Sequence, residues 1–231
     1  RWLRALMLER ERVANHLGDL GALGNAAAFA FGLSQFMRVK EDWVRLNDQL
    51  FGHRFLMDQV IPGGVAIDID AAGLKDLMDQ CLHVAREVKI LRDIYENHAG
   101  LQDRFISTGR VTRELAQRLG LVGFAARASG IDADLRADFE MAPYSQFEVK
   151  KALFRNGDVA SRVAVRFDEL LESLRLIRQI AQQLPEGEIQ APVSTAVQVN
   201  VGAGWVEGWR GEVFVALESD GETILRCHCH D

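Results

Sequence analysis

Cysteine is scarce in this 231-residue sequence, with Cys81, Cys227 and Cys229 the only three. An odd, sparse set builds no disulfide framework and fits a reducing compartment. Proline occurs four times, so little stands in the way of long helices. A large excess of one charge is also missing. Lys+Arg number 27 against 33 Asp+Glu, a formal charge of -6, without the basic footprint that broad nucleic-acid binding needs. Long hydrophobic runs are absent. The longest weakly charged stretch, 20–37, contains Gly21, Gly24, Asn25, Gly32, Ser34 and Gln35. It falls short of a membrane span and reads as a helix buried on most sides. No signal-peptide pattern, dinucleotide-binding glycine fingerprint, Walker motif or serine-nucleophile elbow is visible. What is present is ordinary globular composition, 48% hydrophobic and 26% charged, in a chain long enough to bury a sizeable core.

The sequence opens on Arg1-Trp2 inside a helical pattern and closes on Cys227-His228-Cys229-His230-Asp231 inside an alternating one. Both ends lead to the expectation that it is an excised piece of a longer polypeptide. Leu3, Leu6, Met7, Val13 and Leu17 recur at helical spacing, which predicts an amphipathic helix ending near Gly18. A second helix is expected over about 25–50, stopped by Gly52. Ile61-Pro62-Gly63-Gly64-Val65 reads as a turn. A long helix follows at Ala71–Asn97, with Leu74, Leu77, Cys81, Val84, Val88 and Leu91 in its apolar stripe. A short helix over 112–119 ends at Gly120, 124–144 reads as irregular, and a long helix covers 157–184 before Pro185 and Gly187. After Pro192 the period becomes alternating: Val197, Val199 and Val201, then Val213, Val215 and Leu217, with a turn at Ser219-Asp220-Gly221 and a returning strand. The expected fold is mainly α, a bundle of long helices (1–190) with a small antiparallel β-sheet at the C-terminus, a hairpin region (191–231) packed on it as one domain.

Four groups of residues carry chemistry. Glu9, Arg12 and His16 lie about one helical turn apart on one face, a cluster that either positions a cofactor or forms a satisfied interior network. Arg127, Ser129, Asp134 and Arg136 sit in a glycine-broken stretch that could pin a loop or clamp an anionic group, and composition favours pinning. Trp205, Glu207, Trp209, Arg210 and Gly211 suggest an arginine held rigidly at the start of a strand, with a surface hairpin as the alternative. In Cys227-His228-Cys229-His230, strand alternation sends the two Cys to one face and the two His to the other. They therefore do not converge on one ion, and no metal ligand is assigned. His53, His83 and His98 are given no role.

Six motifs follow one another in order: Glu11-Arg12-x-x-x-His16-Leu17, Gly52-x-Arg54-Phe55, Gly63-Gly64-Val65, Arg127-Ala128-Ser129-Gly130-x-x-x-Asp134-x-Arg136, Gly157-Asp158-Val159-x-x-Arg162 and Arg210-Gly211-Glu212. Together they resemble the large subunit shared by energy-converting nickel–iron hydrogenases and respiratory complex I, nearest the formate-hydrogenlyase branch. The resemblance implies a subunit packed on an iron–sulfur small subunit and sister peripheral-arm subunits, with the membrane arm reached indirectly and no nucleic-acid partner. It implies a peripheral location on the cytoplasmic side of the inner membrane. The parent complex would be an oxidoreductase moving electrons between an iron–sulfur chain and protons/H2. The alternatives are the quinone-site subunit of a complex I-like NADH dehydrogenase and a catalytically empty scaffold. Nickel, quinone or NAD would be bound by the parent complex. Hydrogenases of this family ligate their metal centre through R-x-C-G-x-C and D-P-C-x-x-C, and neither pair occurs here. No cofactor is thus expected within this chain, and the isolated piece is expected to be inactive. The quinone branch carries a His where this sequence has Leu56 and an acid where it has Ala26, which favours the hydrogenase-like branch. By the same resemblance, Glu207 and Arg210 match the hydrogenase E-x-x-R-G element and take catalytic positions. His16, Arg54, Arg127, Ser129 and Asp134 take cofactor-binding positions.

Overall fold

The computed structural model describes residues 1–139, 141–193, 200–220 and 223–230. Its first helix, α1, runs Trp2–Ala26 and its second, α2, Ala30–Phe51. The expected break near Gly18 is therefore wrong: α1 continues through Gly18, Gly21 and Gly24. These glycines mark close approaches rather than a terminus. A Cβ on Gly21 would lie 3.1 Å from the Phe36 Cβ of α2, and one on Gly24 would lie 2.2 Å from the Tyr95 hydroxyl. Gly52 does end α2, in the left-handed conformation at φ 72°.

The expected turn around Pro62-Gly63 is the loop of a two-residue ladder between β1 (Val60–Ile61) and β2 (Gly64–Val65), with Gly63 at φ 86°. Helix α3 spans Ala71–Asn97 as expected, and the Asp70 side chain caps it by accepting the Gly73 N–H at 2.7 Å. α4 (Ala99–Phe105) and α5 (Arg113–Arg118) follow, the latter capped by Thr112. The stretch expected to be irregular holds α6 (Gly123–Ala128), α7 (Leu135–Asp138) and a 3-10 turn at Tyr144–Gln146. Gly130, at φ 86°, follows α6, and the Asp134 carboxylate caps α7. α8 covers Val159–Gln183. It starts two residues later than the sequence suggested, because Gly157 is left-handed and Asp158 is the cap, accepting from the Ser161 N–H and hydroxyl at 2.8 Å each.

α1 packs against α2 and α8, and α3 packs against α8 as the two apolar stripes require. Phe36 of α2, Tyr95 of α3 and Phe167 of α8 meet in the middle with ring centroids 5.5 to 6.0 Å apart. Leu91 and Leu174 are buried in this core. Leu174→Asp is expected to lose about 4 kcal/mol or more, because it buries a carboxylate with no partner. Loss of a cooperative urea transition is the expected reading, also for Leu91→Asp, and two unchanged melting curves would rule the α3–α8 packing out.

The C-terminal sheet is a three-stranded antiparallel meander, β3 (Asn200–Glu207), β4 (Glu212–Ser219) and β5 (Ile224–His230), with β4 in the centre. Trp205 pairs with Phe214 and Val215 with Cys229. Val197, Val199 and Gly221, used in the strand and turn expectations, lie outside the described residues. The β3–β4 bend docks on the bundle so closely that a Cβ on Gly123 would come within 1.8 Å of the Arg210 carbonyl oxygen. Among the described residues, no helix is long and apolar enough to cross a membrane.

Candidate functional site

Under that bend lies a buried network of charges. α1 contributes Glu9, Arg12 and His16, all buried on its inner face. The Glu9 carboxylate accepts from the Tyr144 hydroxyl at 2.7 Å, the Ser173 hydroxyl at 2.6 Å and Arg136 Nη1 at 3.1 Å, with Arg12 Nε at 3.4 Å. Arg136 also forks onto Asp134, at 3.0 and 2.7 Å. From α6, Arg127 donates to Glu169 of α8 at 2.7 Å, to Glu207 at 2.9 Å and to the Ala133 carbonyl at 2.8 Å. His16 Nε2 lies 3.0 Å from the other oxygen of Glu169. Glu207 also accepts the Leu135 N–H at 3.1 Å. Arg12 donates to the Gly208 carbonyl at 2.6 Å and to the Glu207 carbonyl. The network therefore grips the bend by backbone and side chain together.

The electrostatics follow from burial and neighbours. Burial pushes the Glu169 carboxyl up, but Arg127 and His16 outweigh it and hold the group down to about 2. Glu9 is also lowered, with burial outweighed by Arg136 and Arg12. Burial lowers His16 despite its bond to Glu169, so the imidazole is neutral, donates from Nε2 and leaves Nδ1 without a partner. Four carboxylates (Glu9, Asp134, Glu169, Glu207) then face three guanidiniums (Arg12, Arg127, Arg136). Glu207, which burial raises in spite of Arg127, is the carboxyl that most readily keeps a proton.

The structure thus brings His16, Arg127, Asp134 and Glu207 together and leaves three other expected residues apart. Ser129 is buried but donates to the Ala125 carbonyl of its own helical turn at 3.0 Å. Arg54 forks onto Glu41 at 2.6 and 3.2 Å and is partly exposed. Arg210 is exposed, and it lies in the bend rather than at the start of β4, which begins at Glu212. Its guanidinium lies 5.9 Å from the Trp209 ring, and Glu207 pairs with Arg127 rather than with it. Glu207 points inward to Arg127, while the tight bend closed by the Gly208 N–H on the Gly211 carbonyl, at 2.7 Å, turns Arg210 outward.

Beside the bend, a cavity of about 170 Å³ is lined by Glu11, Asn15, Lys40, Arg54, Leu56 and Trp209, among others. Two of the six motifs and the hairpin bend therefore meet at one opening. Sequence reasoning missed Glu169 and Ser173. Their only signal is that they interrupt the apolar stripe of α8 four residues apart, on the face that meets Glu9 and His16. It also missed Arg10, a buried guanidinium 4.0 Å from the Trp43 ring that bonds Asn47, the Trp43 carbonyl and Gln80. Without a carboxylate beside it, burial lowers Arg10 to about 9.

The fold is one found in a respiratory membrane complex. A chain of the archaeal membrane-bound sulfane sulfur reductase matches with a TM-score of 0.92 at 24% identity, over 99% of this chain and 64% of that one. Residues 22–202 match the model for the respiratory-chain NADH dehydrogenase 49 kDa subunit, and the chain belongs to that family. Among relatives, the C/D-type NADH-quinone oxidoreductase polypeptide of Bacteroides thetaiotaomicron is 30% identical over 97% of this chain and 43% of its own length. Formate hydrogenlyase subunit 5 of Escherichia coli is 30% identical over 98% of this chain and 40% of its length. The carbon monoxide-induced hydrogenase of Rhodospirillum rubrum is 29% identical over 95% and 61%. The chain thus spans less than half the length of the first two. The family expected from the six motifs is the family found.

Proposed function

We propose that this chain is the central part of the large subunit of a membrane-associated oxidoreductase that moves electrons between an iron–sulfur chain and protons/H2. In this reading it docks an iron–sulfur small subunit and works as a peripheral subunit on the cytoplasmic side. The observation that carries the reading is the bend bearing Trp209 and Arg210. It is clamped by Arg12 and Arg127 and set beside the cavity lined by Arg54 and Leu56. Leu56 on the cavity wall leaves that position without a titratable group, which favours the hydrogenase-like branch over quinone reduction. The second reading, a quinone-site subunit, has support from the relatives named NADH-quinone oxidoreductase.

A nickel–iron centre does not fit the donor set of this chain. Cys81 is buried in the helical core, where burial pushes its thiol up to about 12, and Cys227 and Cys229 lie exposed on β5. None of the three lines the cavity. Thiolates for such a centre would come from segments outside residues 1–231, and this chain would supply the cavity wall with Arg54, held by Glu41, in it.

The test is Arg210→Lys in the full complex, with hydrogen turnover and quinone reduction measured side by side. Lys keeps the charge and loses the planar fork. Turnover is expected to fall at least about tenfold, roughly 1.4 kcal/mol. Stability should change by less than about 1 kcal/mol, since the side chain is exposed. Loss of hydrogen turnover alone supports the first reading, and loss of quinone reduction alone the second. Full activity in the variant would make Arg210 a hairpin residue, and a wild-type complex without either activity would be a scaffold.

A further inference from the structure

The last strand carries Cys227, His228, Cys229 and His230, none of which touches the charge network or the cavity. Among the described residues, β5 is an outer strand paired with β4 alone, and every one of its residues is exposed. Alternation separates the two Cys from the two His, as the sequence implies. The same alternation brings the two sulfurs side by side. Cys227 Sγ and Cys229 Sγ lie 3.5 Å apart, and both thiols are free. Their face is apolar, with Leu217 opposite Cys227 and Val215 opposite Cys229. The Arg226–Glu218 pair, at 3.7 Å, belongs to the other face.

We propose that Cys227 and Cys229 form a two-thiolate clasp on the sheet edge for one thiophilic monovalent cation of the copper(I) class. Soft thiolates select copper(I) or zinc. Zinc takes four ligands in a tetrahedron, and among the described residues no group of three or more His, Cys, Asp and Glu is placed to hold one ion. A cation satisfied by two sulfurs is the one the geometry accommodates. With a metal–sulfur bond of about 2.3 Å, two sulfurs on one ion stand about 3.8 Å apart at a tetrahedral angle and about 4.6 Å apart when collinear. Small χ1 rotations of two exposed side chains cover that range from the observed separation. The step needs no oxidant: two S–H protons leave to solvent, two metal–sulfur bonds form, and copper stays at +1. A disulfide is the poorer outcome here, because two Cys spaced i, i+2 on an extended strand have Cα atoms about 6.6–6.8 Å apart, the upper limit for that bond.

The experiment uses the full chain, reduced and free of oxygen, titrated with copper(I) against a chromophoric copper(I) chelator. C227S/C229S is expected to bind one copper(I) fewer per chain than wild type and to lose the ultraviolet sulfur-to-copper absorption. H228A/H230A is expected to keep both. All four positions are exposed, so circular dichroism should show both variants folded. Equal uptake by C227S/C229S and wild type would overturn the proposal, as would loss of binding in H228A/H230A. Zinc taken up in preference to copper(I) in the same competition would also overturn it. So would a pair found oxidised as purified that takes up no copper after reduction.

Discussion

Arg127→Met is expected to destabilise the protein by about 3–5 kcal/mol, measured as the shift of its urea unfolding transition. The side chain is fully buried and holds Glu169 at 2.7 Å and Glu207 at 2.9 Å, with Asp134 at 3.7 Å. Met fills a similar volume, so the loss comes from carboxylates left without their cation rather than from a cavity. The double variant R127M/E207Q should recover a large part of the loss, because one of the two stranded charges is then gone. A single-variant loss under about 1 kcal/mol, or a double variant no better than the single, would show that the network is not coupled as its distances imply.

Acid should unfold the protein in two stages with different origins. His16 is lowered by burial, so the unfolded chain takes up its proton first. Its contribution is present above the ordinary value of about 6.5 and is lost as the pH falls below it. Glu169, held down to about 2 by Arg127 and His16 against burial, behaves as a depressed carboxylate. Its contribution is present above the ordinary carboxylate value of about 4.3 and is lost as the pH falls from there toward about 2, at up to roughly 1.4 kcal/mol per pH unit for one proton. Glu9 acts in the same direction. Glu207 is raised and opposes them, favouring the fold at low pH and losing that effect as the pH rises through its folded value. Unfolding free energies measured from pH 8 to 3 should therefore fall in two steps. His16→Gln should flatten the upper one and leave the lower. A His16→Gln curve parallel to wild type across both steps would contradict the neutral assignment of His16.

Much of the fold was legible in the sequence. The stripes of α3 and α8, the helix α5 before Gly120 and the alternation of β4 and β5 are local periodicities, and local periodicity is written residue by residue. The family was legible in six short motifs in order. Glycine was harder to read. Gly52 and Gly120 end helices, whereas Gly18, Gly21 and Gly24 sit inside α1, the last two where other helices come close. The residue is the same, and only the neighbouring helix tells the two uses apart.

The candidate site divides the same way. That Glu9, Arg12 and His16 share a face follows from helical spacing, and that the two Cys of β5 share a face follows from strand spacing. The partners they meet do not follow from spacing. Glu207 stands three residues from Arg210 and eighty from Arg127, yet it pairs with Arg127, because docking the bend on α6 and α7 removes its carboxylate from water and leaves Arg210 in it. A buried carboxylate must find a cation, whereas an exposed arginine has water. Residue order alone determined which groups carry charge and which way each element faces. The packing of α1, α6, α7 and α8 decided which charges lose their water and therefore which of them had to meet.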